Sequence, residues 1–369
     1  MNKNILHLMG MDSTKYGGVE RFNVELSRQL MAKGYHSVFV YEEYPCVQQF
    51  VDDLLSTGAE LVVISSRTNK IKFCKDIWQL YKKYEFSTIH AHFTKARFYA
   101  LPLAVLYGIK NRLYTIHSTI EPLRAIKLHT RLWYWWMNKF CRVIAVSKQI
   151  EQVAKKNWSK ATIKAIYLGI DPNFVDRKVV RNEFDICDDT IVVTTIANFN
   201  NVKGLDILCR AVKYLADNHK MNNVIVYVVG QPINEMQELK TLIEQMSITQ
   251  YIKIEGIKNN IPMYLAASDI YVQASRHEGL PLALMEATSF GLPIVASNVG
   301  GIPEIAHENR NALLVPTEDA FKLAMALEKM IYDSKLRNEY GKQSMNIYKE
   351  SFCLKQNVSN LIEYYNLRK

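Results

Sequence analysis

Short aliphatic segments alternate with longer amphipathic stretches along the first 170 residues of the chain. Seven of these segments have the apolar composition of strands: NILHLMG, HSVFVYE, ELVVISS, STIHAHF, NRLYTIH, RVIAVSK and ATIKAIYLG. The stretches between them are long enough for helices. The first one, for example, repeats apolar residues at helical spacing from Val19 to Leu30. This alternation predicts a parallel sheet that is covered by helices.

The pattern is interrupted by a charged segment, DPNFVDRKVVRNEF, and then restarts with TIVVTTIAN, NVIVYVVG, YIKIEGI, DIYVQAS and LPIVASN. Continuous apolar runs are what strands covered on both faces require. A chain of 369 residues also exceeds the size at which a single core keeps growing. We therefore expect an α/β protein with two Rossmann-like parallel-sheet domains facing each other across a cleft. In such domains ligands bind beyond the carboxyl ends of the strands.

The same pattern predicts the domain boundaries. Residues 1–170 form an N-terminal domain, 171–188 an interdomain linker, and 189–350 a C-terminal domain. Residues 351–369 are predicted to form a helix that packs back on the N-terminal domain.

The charge is unevenly distributed between the two halves. The formal net charge is +10, but residues 1–170 carry +13 and residues 171–369 carry −3. The most basic segments mix cations with Trp and Tyr, which is typical of segments that bind an anionic membrane surface. These segments are RTNKIKFCKDIWQLYKKYEF and LRAIKLHTRLWYWWMNKFCR. The alternative is that Trp133, Trp135 and Trp136 are mostly core. Nucleic acid is not expected, because we find no zinc-finger spacing, RNP-like strand or arginine-rich tail.

The sequence favours a cytoplasmic protein. A second hypothesis is that it attaches peripherally to the cytoplasmic face of the membrane. The opening MNKNILHLMGMD reaches Asp12 too early for a secretory signal, and no apolar run is long enough to span a bilayer. The six cysteines are scattered, as in reduced proteins. Neither HExxH nor DxD occurs, so we expect no metal and no other cofactor.

Two carboxylates stand out in HEGLPLALMEATSFGLPIVASNVGGIPE, where Glu278 and Glu286 lie eight positions apart. DIYVQAS predicts a strand just before Glu278, and Pro281 suits the start of a helix. Glu278 and the backbone amides of Gly279 and Leu280 then lie at a helix N-terminus, where phosphate or sugar oxygens bind. One carboxylate can face a sugar and the other a ribose diol. The alternative is a helix-capping Glu278 and a solvated Glu286.

This E-x7-E segment, with the GLPIVASNVGGIPE that follows it, resembles the donor-binding signature of the retaining GT-B glycosyltransferases of group 1, or glycosyltransferase family 4. The resemblance extends over nearly the whole chain. It implies transfer of a sugar from a nucleotide-diphosphate sugar with retention of configuration. It also implies that Glu278 contacts the sugar near its reacting carbon, while Glu286 accepts hydrogen bonds from the ribose.

A second part of the resemblance is TIANFNNVKGLDIL, in which a strand runs into a polar loop and a helix. The resemblance places Lys203 at the donor diphosphate, where the family usually has an Arg as well. Asn198 occupies the position of that Arg, and it contributes no charge to a departing diphosphate. We expect Lys203, backbone amides or another cation such as Arg276 to supply part of that charge stabilisation.

The N-terminal half carries further matches. Gly17 and Gly18 follow the first strand, where the family places a glycine loop against the donor phosphates and the acceptor. His117 ends a predicted strand and resembles the histidine that the family places near the transferred sugar. His90 and His92 form an H-x-H pair for which the sequence shows no third ligand. For these two we expect acceptor contacts or core, and for Ser147 a place on the acceptor side.

The sequence therefore predicts a hexosyltransferase that acts on a glycan or lipid-linked acceptor in polysaccharide or cell-surface glycan biosynthesis. Two alternatives stay open. One is a GT-B sugar-nucleotide epimerase, and the other is a non-catalytic scaffold that binds nucleotide sugars.

Overall fold

The computed structural model describes residues 3–14, 16–67, 69–92, 96–117, 128–157, 162–231, 236–258 and 260–367. The chain divides into two compact units. Unit 1 comprises Met1–Asp171 and Phe352–Lys369, and unit 2 comprises Pro172–Ser351.

Unit 1 is built on a seven-stranded sheet in which every neighbouring pair is parallel. The strand order is β3-β2-β1-β4-β5-β6-β7. The strands are β1 (Asn4–Leu8), β2 (His36–Tyr41), β3 (Glu60–Val63), β4 (Thr88–Ala91), β5 (Asn111–Ile116), β6 (Arg142–Ala145) and β7 (Ile163–Ala165). Each lies inside one of the seven aliphatic segments, so these strand predictions are confirmed.

Helices alternate with the strands of unit 1 and bury its sheet. They are α1 (Gly18–Ala32), α2 (Gln48–Ser56), α3 (Lys70–Tyr84), α4 (Ala96–Tyr107), α5 (Leu128–Phe140) and α6 (Lys148–Asn157). On α1 the apolar stripe predicted from the sequence is buried at Phe22, Leu26 and Leu30. The Asn69 side chain caps α3 by accepting a hydrogen bond from the Lys72 amide.

The C-terminal helix belongs to unit 1. This helix is the last of the chain (Leu354–Tyr365), and its residues Val358, Leu361 and Tyr365 are buried in one cluster with Ile5 and Leu26. The Arg142 guanidinium also donates to the Tyr365 carbonyl over 2.8 Å. An apolar helix face therefore fixes the end of the chain to the first sheet.

Unit 2 is built on a second parallel sheet, of six strands, in the order β10-β9-β8-β11-β12-β13. The strands are β8 (Ile191–Ile196), β9 (Val224–Val229), β10 (Ile252–Gly256), β11 (Ile270–Gln273), β12 (Ile294–Ser297) and β13 (Ala312–Val315). The first five match the predicted segments. The sequence prediction missed β13, because four apolar residues after a polar turn carry little periodic signal.

The helices of unit 2 cover this sheet. They are α7 (Arg177–Glu183), α8 (Leu205–Asp217), α9 (Met236–Gln245), α10 (Ile261–Ala267), α11 (Leu282–Ser289), α12 (Ala320–Tyr332) and α13 (Ser334–Ile347); the C-terminal helix of unit 1 is α14. A π-helical turn, Tyr348–Phe352, follows α13.

The segment predicted as a linker contains α7, which Asp176 caps through the amides of Lys178 and Val179. Arg177 and Arg181 of this helix pair with Asp269, which anchors α7 to the start of β11.

Candidate active site

The candidate site lies at the carboxyl edge of the second sheet, where three neighbouring strands end. β8 leads to the loop with Lys203, β11 leads to the turn with Glu278, and β12 leads to Gly300 and Gly301. Because β11 pairs with β8 on one side and with β12 on the other, the three loops meet. This is the edge at which parallel α/β sheets bind ligands.

Glu278 is the centre of a hydrogen-bond network. Its Oε1 accepts from Lys203 Nζ over 2.6 Å, from Gln273 Nε2 over 2.6 Å and from Ser275 Oγ over 2.7 Å. The side chain of Glu278 is 7% exposed and that of Lys203 is 23% exposed. Three donors, one of them an ammonium, stabilise a carboxylate that would otherwise be costly to bury. The structure thus joins two residues that the sequence places 75 positions apart.

Two glycines make this packing possible. Gly204 has φ +61°, and a Cβ there would lie 2.0 Å from the Ala274 carbonyl oxygen. Gly300 has φ +57°, and a Cβ there would lie 1.9 Å from the Glu278 carbonyl oxygen. Both positions require glycine twice over, for the left-handed backbone and for the close approach. The carboxyl turn of β11 is therefore held between its two neighbouring loops.

Arg276 is paired with two carboxylates, Asp206 and Glu318. Its Nη1 and Nη2 bind both oxygens of Asp206 over 2.8 and 2.9 Å, and its Nη2 and Nε contact Glu318. Although burial raises the pKa of Asp206, its hydrogen bonds to Arg276 hold that pKa below the usual value. The guanidinium is engaged by two carboxylates, and its Nη1 also donates to the Asn201 carbonyl over 2.6 Å, so it braces the Lys203 loop. The expectation that Arg276 binds the donor stays a prediction.

The remaining donor-side residues lie around the same edge. Asn198 is exposed just after β8, and Gly279 and Leu280 are half-buried between β11 and α11. Helix α11 begins at Leu282, one residue later than predicted, with Pro281 as its N-cap. Glu286 is therefore on the second turn. Burial foremost, then the charges of Glu278 and Glu286, raise the pKa of Tyr271, so both carboxylates lie within electrostatic range of one phenol.

In unit 1, the glycines lie where the sequence predicts, between β1 and α1. Gly17 is the N-cap of α1 and Gly18 is its first residue. The Gly17 amide donates to Glu20 Oε2 over 3.0 Å, and Ser13 Oγ donates to Glu20 Oε1 over 2.9 Å. The buried Glu20 thus engages the amide of Gly17, in the loop that the family resemblance places against the donor phosphates. The donor-binding role of the two glycines stays a prediction.

Ser147 is not suited to the acceptor side. It is 1% exposed, and its hydroxyl accepts a hydrogen bond from the Ile150 amide over 3.1 Å. That contact is a helix cap at the start of α6. We correct the expectation accordingly.

Four imidazoles gather at the centre of unit 1, and the sequence revealed only part of this cluster. His7 and His90 are direct partners on β1 and β4, and His92 continues on the same face. His92 Nδ1 lies 3.3 Å from His117 Nε2. Burial lowers the pKa of all four, that of His92 to about 3, so the rings are neutral at pH 7.

The third ligand that the H-x-H pair lacked in the sequence is present. The ligand nitrogens of His7, His90 and His92 lie within 4.8 Å of one another. However, both nitrogens of His90 are bonded, to the hydroxyls of Tyr365 and Thr115 over 2.7 Å each. The cluster therefore offers a metal two uncommitted rings at most, which is a poor fit for a resident ion. Metal independence stays a prediction.

Sequence reasoning missed Gln273 and Ser275, although a signal existed. DIYVQAS is an apolar strand interrupted by glutamine, and a buried amide needs a partner. It also missed His7, whose position opposite His90 depends on strand order.

Comparisons with known proteins agree with this geometry. Residues 16–174 match the model of Glycosyltransferase Family 4, and residues 176–346 match that of Glycosyl transferases group 1. An Escherichia coli relative, UDP-Gal:alpha-D-GlcNAc-diphosphoundecaprenol alpha-1,3-galactosyltransferase, is 23% identical, over 94% of this chain and 93% of its own.

Two solved structures share the fold across nearly their whole length. A glycosyltransferase from Rickettsia africae has a TM-score of 0.84 at 21% identity, covering 99% of this chain and 98% of its own. Anabaena Alr3699/HepE in complex with UDP has a TM-score of 0.83 at 19% identity, covering 98% and 99%.

Two parallel sheets with polar loops at their carboxyl ends, matched by these structures, define a GT-B protein. The chain belongs to the group 1 glycosyltransferases. It is accordingly an enzyme of the transferase class.

Proposed function

We propose that this glycosyltransferase moves a hexose from a nucleotide-diphosphate sugar to a glycan or lipid-linked acceptor, with retention of configuration. The observation that carries the proposal is the Lys203–Glu278 pair, which brings a cation and a carboxylate together at the edge where α/β sheets bind ligands. The E. coli relative is named for UDP-Gal as donor and a diphosphoundecaprenol-linked acceptor, which supports the substrate classes. Polysaccharide or cell-surface glycan biosynthesis is the corresponding setting.

In this proposal unit 2 binds the donor. Lys203 contacts the diphosphate and stabilises the negative charge that develops when the nucleotide leaves. Glu278 contacts the sugar near its reacting carbon, and Glu286 accepts hydrogen bonds from the ribose. His117 and His92 are assigned to sugar and acceptor contacts in unit 1. The acceptor oxygen attacks the reacting carbon of the sugar from the face that the diphosphate leaves. An oxygen of the departing diphosphate takes the proton of the acceptor hydroxyl.

Glu286→Ala is expected to weaken donor binding about 10- to 100-fold, because a charged acceptor of hydrogen bonds is lost. Calorimetry with UDP-glucose, GDP-mannose and ADP-glucose measures this and identifies the base. Glu244→Ala, which removes an exposed carboxylate from α9, serves as the control. Unchanged donor affinity in Glu286→Ala would contradict the assignment.

The same donors separate the alternatives. Interconversion of a UDP-sugar without any acceptor would favour an epimerase. Donor binding without turnover on any acceptor would favour a scaffold.

We also propose that unit 1 attaches peripherally to an anionic membrane, because it exposes apolar side chains beside cations. Leu132 and Trp135 on α5 are each 60% exposed, at helical spacing with the exposed Lys139. Lys139 Nζ lies 5.5 Å from the Trp135 ring. Ile71 on α3, flanked by exposed lysines, is 72% exposed.

The structure divides the three tryptophans between surface and core. Trp133 and Trp136 stack with ring centroids 5.1 Å apart and pack against the core, which leaves Trp135 for the surface. Residues 123–127 of the second basic segment lie outside the described residues. Among the described residues, no helix combines the length and apolar character needed to cross a bilayer.

Sedimentation with vesicles of zwitterionic lipid and of mixed anionic lipid tests this attachment. Binding is expected to rise with anionic lipid and fall with salt. Trp135→Ala is expected to weaken it about tenfold, since a buried indole face contributes on the order of 1–2 kcal/mol. Phe321→Ala removes a comparably exposed ring from α12 of unit 2 and is the control. Equal binding to both vesicle types would refute the proposal.

A further inference from the structure

Gln273 is a polar side chain at the end of an apolar strand. The other three residues of β11, Ile270, Tyr271 and Val272, are fully buried, and Gln273 itself is only 5% exposed. An amide in such a place is tolerated when it makes a specific hydrogen bond. Its Nε2 donates to Glu278 Oε1 over 2.6 Å and makes a longer contact of 3.4 Å with Ser275 Oγ.

The three donors on Glu278 Oε1 differ in what a substrate does to them. Lys203 is the donor that the proposed diphosphate competes for, because both the carboxylate and the diphosphate attract one ammonium. Gln273 and Ser275 are neutral, and they are 5% and 0% exposed on β11 and in the turn after it. They therefore stay in place when the ammonium is drawn to a new partner.

We propose that Gln273 is a positioning residue for Glu278. Together with Ser275, it holds Oε1, so that the carboxylate keeps one orientation toward the sugar while Lys203 binds the diphosphate. This inference rests on the proposed function of the same site. Holding a reactive group in place before the reaction is the contribution that such neighbours make to rate.

Gln273→Leu tests the inference, because leucine has a similar size and no donor. We expect kcat to fall about 10- to 100-fold, the effect of losing one hydrogen bond to a charged group. The KM for the donor is expected to change less than about threefold, since Glu286 and Lys203 still bind the nucleotide. Ser275→Ala is expected to lower kcat in the same way and provides a second variant should Gln273→Leu fail to fold.

A double-mutant cycle separates positioning from general support of the fold. In a Glu278→Gln background, Gln273→Leu is expected to lower kcat less than about twofold further, because it acts through the carboxylate that is already gone. A full additional loss in that background would overturn the proposal. So would a wild-type kcat in Gln273→Leu.

Ser268→Ala is the matched control at the other end of β11. Ser268 is buried, its hydroxyl donates to the Tyr264 carbonyl over 2.5 Å, and its Oγ accepts from the Thr194 hydroxyl over 2.6 Å. Its loss is expected to lower the melting temperature and leave kcat within about twofold.

Failure of the proposed function looks different from failure of this inference. In that case the wild-type enzyme would transfer no sugar from UDP-glucose, GDP-mannose or ADP-glucose.

Discussion

Lys203→Ala is expected to lower kcat by about 10²- to 10³-fold, the usual effect of removing one preorganised charge from a developing anion. The effect is expected to be large in this chain because, by the family resemblance, Asn198 stands where a cation is usual, and Arg276 is paired with Asp206 and Glu318. Among the described residues, Lys203 is the cation in direct contact with Glu278, with Nζ 2.6 Å from Oε1. Steady-state kinetics with the preferred donor and acceptor give the measurement.

Two further variants sharpen this experiment. Lys203→Arg keeps the charge and is expected to recover part of the rate. Lys213→Ala breaks an exposed ion pair with Asp217 on α8 and is expected to leave kcat unchanged. If Lys203→Ala turned over like the wild-type enzyme, the diphosphate contact would have to be assigned elsewhere. Asn198→Arg offers the reverse test, since a restored cation is expected to raise kcat in the Lys203→Ala background.

Unit 1 is expected to lose stability steeply below pH 6.5. The folded pKa of His7 lies well below 6.5, because it is lowered by burial and then by His92, and the pKa of His92 is about 3. Between the unfolded pKa of about 6.5 and the lower folded pKa of each histidine, the unfolded chain therefore binds more protons than the folded chain. The contribution of these neutral histidines to the free energy of unfolding is fully present above pH 6.5. It falls as the pH drops, by up to about 1.4 kcal/mol per pH unit for each such histidine.

His7→Leu isolates one contribution, since neither nitrogen of His7 has a hydrogen-bond partner among the described residues. Denaturant unfolding from pH 7 to 5 is expected to show a shallower loss of stability in this variant. The exposed His219, at φ +55°, is changed to Asn as the control and is expected to keep the wild-type slope. A wild-type slope in His7→Leu would mean that other groups dominate the acid response.

Strand periodicity predicted much of the fold. Runs such as VIVYVV and HSVFVY are apolar on both faces, so their sequence alone indicates parallel strands beneath helices, and the first twelve strands occur where such runs lie. Glu278, Glu286 and Lys203 could be singled out as candidates because each belongs to a local motif that resembles the family; their roles stay predictions.

The packing of side chains from distant segments was decided by the tertiary structure. Lys203 reaches Glu278, Asp206 reaches Arg276, and Tyr365 reaches His90 from distant segments, and spacing along the chain does not reveal that these residues meet. The sequence does not show that Arg276 pairs with Asp206 and Glu318, and the structure does.

The sequence by itself determined the two sheets, the order of their strands along the chain and the residue types at their carboxyl ends, because periodicity and turn chemistry are local. Strand order within each sheet decided the rest, since it places β8 beside β11 and β1 beside β4. Hydrogen bonds and desolvation depend on those neighbours. For that reason only the folded chain shows that Lys203 reaches Glu278 and that His7 lies against His90.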